Sequence, residues 1–234
     1  MAKPMRVIVC GTKAVDPAAS AVRLAGVGND PKTRNPGGHT VKNDDTPLIP
    51  DAVWLEERLG KGSLWRPDEA ALPAELTDAE SREFLLMVGF PAVRIGVAGI
   101  DTRHLRDEDA WEPFDADEIY GERYPDDDSP PKNFCFTVAT WSDQHLMLDA
   151  ADGGITHYDP NGWDHGAGWK GTAADNLPRL AVLLGLIAES GDALEAADDD
   201  VRAAAVTELR ARMIDEDLFV DDSAFWDGIF EWLS

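Results

Sequence analysis

The chain has 234 residues, of which 44% are hydrophobic and 8% aromatic, so it can bury a core for one large domain or one domain with an appendage. Its formal net charge of −24 argues against nucleic acid or an anionic membrane as partner and suits a basic partner. Two cysteines give no disulfide framework, and no apolar run reaches the ~20 residues of a membrane span. The apolar stretch near the N terminus is too short for a signal peptide, so we expect a cytoplasmic protein.

The first 49 residues predict a strand followed by a loop-rich arm. Met5 to Cys10 favours a short buried strand that ends at Gly11. The residues from there to about 50 are rich in Gly, Pro, Asn and Asp, which is typical of turns and loops. We therefore predict two parts, an N-terminal arm over 1–49 and a compact domain over 50–234.

Two helices are predicted at the start of the compact domain. Asp51 can cap a helix from Ala52 to Leu59, with Gly60 as its stop. Thr77 and Glu80 have capping-box spacing and precede apolar residues at helical intervals, so a second helix begins there.

Residues 133–158 predict adjacent antiparallel strands. Residues 133–141 are rich in β-forming residues. Residues 145–149 and 154–158 flank a turn that contains Asp152-Gly153, which is typical of a hairpin.

The C-terminal region predicts three helices. Leu177 to Ile187 has one apolar face, Val201 to Ile214 repeats apolar residues every three or four positions, and Ser223 can cap a final amphipathic helix. The order helix, sheet, helix predicts an α+β fold, with a central antiparallel sheet flanked by helices and a helical C-terminal region.

Residues 50–234 resemble the SUKH superfamily of bacterial immunity proteins, most closely its fourth family. The resemblance lies in the segments 54–66, Leu72-Pro73 and 77–91, in the hairpin at 148–155, and in the last helix with Phe230 and Trp232. It implies a SUKH-like sheet flanked by helices, with no catalytic residue and no cofactor. It also implies that the chain neutralises a cognate protein toxin, such as a nuclease or nucleotide deaminase, by binding it. Residues 1–49 match nothing in that family.

The negative charge is concentrated in the second half of the chain. Residues 1–106 carry equal numbers of acidic and basic side chains, whereas residues 107–128, called here the acidic segment, carry 11 acidic residues and one basic residue. We predict that this segment contacts a basic partner through acidic residues and interleaved aromatics. The residues concerned are Asp107, Glu108, Asp109, Trp111, Tyr120, Asp126, Asp127 and Asp128. The alternative is a solvated loop that its aromatic residues pack onto the sheet.

A glycine-rich loop supplies a second candidate contact. It runs from Gly162 to Gly171 and contains Trp163 and Trp169. Tryptophans exposed in a loop often form the centre of a protein interface.

Two side-chain sets are candidates for chemistry instead. His157, Asp159 and His165 predict a metal-dependent hydrolase as an alternative function, although Asp and Asn are ordinary residues in a turn. The other set is a thiol nucleophile with a base and an orienting carboxylate, namely Cys135, His145 and Asp149. A free cysteine is more often a small buried hydrophobe. A further alternative is a regulatory scaffold of the same fold that binds no toxin.

Overall fold

The computed structural model describes residues 48–107, 109–124, 126–162 and 167–234. Its helices are α1 Ala52–Leu59, α2 Ala79–Met87, α3 Ala116–Ile119, α4 Leu177–Glu189, α5 Gly191–Leu194, α6 Asp199–Glu216 and α7 Ala224–Leu233. Its strands are β1 Leu64–Trp65, β2 Phe90–Pro91, β3 Arg94–Ile95, β4 Ile100–Asp101, β5 Phe114–Asp115, β6 Phe134–Trp141, β7 Gln144–Asp149, β8 Ile155–Tyr158 and β9 Trp169–Ala174. The predicted α+β class, with a helical C-terminal region, is confirmed.

The sheet is antiparallel throughout. Its strand order is β3-β4-β6-β7-β8-β9, and β5 pairs with the start of β6. The predicted hairpin is present, because Leu148 of β7 lies opposite Ile155 of β8. The register of β6 against β7 shifts between Thr137 and Ala139, so Val138 and Ala139 both enter the hydrophobic core.

Helices cover one face of this sheet. The apolar face of α4, which is buried along most of its length, and the aromatic face of α7 pack against β9. Both α1 and α6 pack against α4. Trp226 of α7 is fully buried and its indole Nε1 donates to the carbonyl of Ala173 at 2.6 Å. This layer of helices forms the main core, because the apolar stripe of each helix must be removed from water.

Helix starts follow the predicted caps, with two differences. Asp51 accepts a hydrogen bond from Trp54 N, as predicted, and Asn176, which was not predicted as a cap, accepts one from Arg179 N. In α2 the cap is Asp78, whose carboxylate accepts from Ser81 N at 2.7 Å, and not Thr77 as the capping-box spacing suggested. Ser223 stands before α7, but its hydroxyl makes no cap bond.

Thr77 has a tertiary role instead. Its hydroxyl and its backbone N–H both donate to the carbonyl of Ala150, and the N–H of Asp78 joins them at 2.8 Å. Ala150 lies in the β7–β8 turn, so these bonds dock the start of α2 onto the hairpin.

The predicted strand from Met5 to Cys10 and nearly all of the arm lie outside the described residues. Leu48, the first described residue, already belongs to the domain. Its N–H donates to Glu216 at 2.9 Å, its carbonyl accepts from Arg179 at 2.8 Å, and its side chain packs against the core. None of the described helices is both long and apolar enough to span a bilayer.

Candidate partner-binding surface

The second face of the sheet is only partly covered. Alternation along β6 and β7 turns Cys135 and Met147 away from the helices, and there they meet Ala116 and Ile119 in a small separate cluster. The covering element is the four-residue helix α3 with the chain that follows it. Polar side chains occupy much of the remaining surface, which we call the open face.

A groove lies on the open face between α3 and the strands β8 and β9. Its volume is about 340 Å³, and it is lined by Tyr120, Glu122, Asp149, Asp152, Gly154, Ile155, Thr156, Trp169 and Thr172. Thr156 and Thr172 are cross-strand partners, so their side chains leave the sheet on the same side. Trp169 stands at the rim, 48% exposed.

Tyr120 of the segment after α3 lines the groove. Its phenol lies 3.2 Å from Asp149 Oδ2 and 3.3 Å from Thr156 Oγ1. Burial raises the pKa of this phenol, and the nearby carboxylate of Asp149 raises that pKa further, while the bond to Thr156 lowers it. Tyr120 therefore stays protonated and donates a hydrogen bond that fixes the Asp149 carboxylate.

Arg123 holds the second half of the acidic segment in place. Its guanidinium contacts the carboxylate of Asp115 and the carbonyl of Ser129, and it donates to the carbonyl of Asp127 at 2.9 Å and 3.2 Å. The side chain is only 14% exposed. One basic residue thus orders this loop, in which the acidic side chains would otherwise repel one another.

The three predicted aspartates at the end of this segment differ in role. Asp126 and Asp128 are exposed. Asp127 accepts a hydrogen bond from Ser129 N at 2.9 Å and lies 4.0 Å from Arg123 Nε, and these contacts, led by Ser129, lower the pKa of its carboxyl. Asp127 is exposed like its two neighbours, and it also shapes the loop.

Trp111 is a packing residue. Its ring stacks on Trp65 at a centroid distance of 5.3 Å and packs against Phe136 at 5.5 Å, and its Nε1 atom is buried. Through Trp111 the acidic segment is attached to the core, as the alternative describes, and the interface contact of this half-buried residue stays a prediction. Asp107 and Asp109 are exposed. Glu108 and Trp163 lie outside the described residues.

The thiol set is not assembled. Cys135 lies opposite Asp149, whereas His145 lies opposite Thr140. His145 and Asp149 are four positions apart in β7, about 13 Å along the strand. Burial, followed by the charges of Asp149 and Asp115, raises the pKa of the Cys135 thiol to about 12. A fully buried thiol without a base within reach is not an activated nucleophile.

The side chain of His157 lies on the helix-covered face of the sheet. Its Nε2 atom lies 2.6 Å from Gln144 Oε1, and its ring packs edge-on against Phe225 at 5.3 Å. The carboxylate of Asp159 accepts from Asn161 N at 2.9 Å, as turn chemistry requires. His165 lies outside the described residues. Within the described ranges, no three His, Cys, Asp or Glu side chains are grouped closely enough to hold a metal ion.

The structure thus brings together two predicted residues, Tyr120 and Trp169, in one groove. Sequence reasoning did not select the groove residues Glu122, Asp149, Asp152 and Thr156 as binding residues. The alternation of Asp149 along β7 indicated a side chain opposite the core, but only the tertiary structure shows that α3 passes above it. No protein-family model, curated protein or solved structure matches this chain.

Proposed function

We propose that this chain is an immunity protein that neutralises a cognate protein toxin, a nuclease or a nucleotide deaminase, by binding to it in the cytoplasm. The inhibition is stoichiometric and uses no cofactor and no catalytic step. The observation that carries the proposal is the exposed acidic loop after α3, whose conformation Arg123 fixes through hydrogen bonds to the carbonyls of Asp127 and Ser129.

Charge complementarity supports this proposal. A toxin that acts on nucleic acid needs a basic groove for the phosphate backbone. Asp126 and Asp128 present carboxylates beside a loop that Arg123 orders, so the charges are held in place before the partner arrives. Preorganised charge of this kind accelerates association and restricts the orientation of docking.

The packing of the two candidate chemical sets also favours binding over catalysis. Cys135 is fully buried, and His157 bonds to Gln144 and packs on Phe225. Packing within the sheet and its helices therefore explains the positions of both side chains without a catalytic role.

The first test is protection. Toxins and their immunity proteins are commonly encoded together, so the toxin candidate is the product of the neighbouring gene. Expression of that gene should arrest growth, and co-expression of this chain should restore growth and yield a stoichiometric complex. Growth arrest that persists despite folded, abundant protein contradicts the proposal.

The second test separates electrostatic steering by the acidic segment from the effect of the protein's overall negative charge. Asp126→Asn with Asp128→Asn should lower the association rate about fivefold at low salt, and the difference should shrink as salt shortens the Debye length to about 8 Å. The matched control is Glu208→Gln with Asp215→Asn, which removes the same charge from exposed positions of α6, a helix that packs on α4. Equal effects of the two double variants would show that the acidic segment has no specific role.

A further inference from the structure

The groove on the open face has an aromatic wall and an acidic wall. Trp169 supplies a partly exposed indole, and Glu122, Asp149 and Asp152 supply carboxylates. A planar cation is attracted to an indole face and to carboxylates at the same time. This combination is more selective than negative charge alone, because it also requires a flat cation.

The carboxylates are held in position by internal hydrogen bonds. Asp149 Oδ1 accepts from Ala151 N at 2.8 Å and from Asp152 N at 3.2 Å, and its Oδ2 faces the Tyr120 phenol. Asp152 Oδ1 accepts from Gly154 N at 2.9 Å. A carboxylate oxygen has two lone pairs, so Asp149 Oδ1 is saturated, while Asp149 Oδ2 and the carboxylate of Asp152 have capacity for a further donor from a ligand.

No described residue that lines the groove is basic. Lys170 follows Trp169 directly, but its charge acts on His157, which belongs to the helix-covered face. The side chains of Trp169 and Lys170 therefore serve opposite faces of the sheet, as alternation predicts. The acidic wall of the groove has no cation of its own among its lining residues.

We infer that this groove receives an arginine side chain of the partner protein. The guanidinium stacks on Trp169 and donates hydrogen bonds to the carboxylates of Asp149 and Asp152. Arginine fits better than lysine because its planar fork can stack and bond at the same time, whereas an ammonium group is a compact point charge. The inference rests on the proposed function and deepens it by naming the chemical group of the partner that is bound.

The probe for this inference is the capped tripeptide acetyl-Gly-Arg-Gly-amide. It is titrated into the protein up to about 50 mM, and NMR spectra of the protein are recorded. It should shift the indole N–H signal of Trp169 and the amide signals of Thr156 and Thr172 in a saturable way. The matching peptide with citrulline, which is neutral and nearly isosteric, should cause no saturable shift, and the lysine peptide should bind at least threefold more weakly. Absence of saturation with arginine, or equal binding of citrulline, overturns the inference.

Variants locate the site. Trp169→Ala and Asp152→Asn should each weaken the arginine peptide about threefold to tenfold. The matched control is Trp232→Ala, because Trp232 is also an exposed tryptophan, 67% exposed, but lies on α7. A loss of binding in the control equal to that in Trp169→Ala overturns the assignment, as does unchanged binding in both groove variants. Thermal melts of each variant establish that it is folded.

The two proposals fail separately. If the chain protects against the toxin but the arginine peptide does not bind in the groove, the inference is wrong and the proposed function stands. If the peptide binds as expected but the neighbouring toxin is not neutralised, the proposed function is wrong.

Discussion

Gly153 in the β7–β8 turn is required for two distinct reasons. Its backbone has φ of +79°, and a Cβ atom there would stand 2.6 Å from Asp78 Oδ2, the carboxylate that caps α2. Gly153→Ala should lower the free energy of unfolding by about 2–3 kcal/mol, from backbone strain and the disturbed cap together. Chemical denaturation measures this difference.

Gly62→Ala is the control for Gly153→Ala. Gly62 has nearly the same positive φ, +77°, but no atom lies within 4 Å of the added Cβ. It should cost only the backbone part, about 1 kcal/mol. Equal costs at the two positions would show that the contact with Asp78 is unimportant.

His157 makes stability depend on pH. Burial, the largest cause, lowers its pKa from 6.5 to about 4. Between these values the unfolded chain binds the proton and the folded chain does not, so this contribution is complete above pH 6.5 and is lost as the pH falls towards 4. On lowering the pH from 7 to 4 the wild type should lose about 3 kcal/mol more than His157→Gln.

Urea unfolding across this pH range measures the His157 contribution. Asp217, whose pKa burial raises, affects wild type and variant alike and cancels in the difference. Parallel curves for the two proteins would show that His157 takes up its proton without disturbing the fold.

At the scale of elements, the loop after α3 depends on Arg123. Lysine keeps the charge there but has no planar fork to reach Asp115, Asp127 and Ser129 together. Arg123→Lys should lower the free energy of unfolding by about 2 kcal/mol and speed hydrogen exchange over residues 115–129.

Arg103→Lys is the matched control for the loop. Arg103 is 58% exposed and pairs with Asp101 on the surface, so its replacement should cost less than about 1 kcal/mol. If Arg123→Lys is as mild as this control and leaves hydrogen exchange unchanged, Arg123 does not order the acidic segment.

At the scale of the whole molecule, the contacts of Leu48 predict where the chain can be shortened. Deletion of residues 1–45 should leave a domain with a cooperative thermal transition. Deletion of 1–50 also removes the packing of Leu48 and its bonds to Arg179 and Glu216, so it should cost about a further 2 kcal/mol. Equal melting temperatures for the two truncated proteins would contradict this assignment, as would loss of the cooperative transition after deletion of residues 1–45 alone.

The sequence alone determined the local elements of this protein. A cap predicts the helix after Asp51, and apolar periodicity predicts the helical stretches over 177–187 and 201–214. The strand at 134–141 and the hairpin at Asp152-Gly153 follow from β-forming and turn residues. These signals act within a few residues of each other, so they can be read without knowing the fold. The concentration of acidic residues in 107–128 was equally visible.

Only the tertiary structure decided which side chains meet and which are buried. Tyr120 and Trp169 come from distant segments and share a groove because α3 crosses the open face. Trp111 is half-buried because it packs against Trp65 and Phe136, and Thr77 leaves its predicted cap because the carbonyl of Ala150 accepts its hydroxyl. Such choices depend on packing and on satisfying buried polar groups across the whole sheet, which no local spacing encodes.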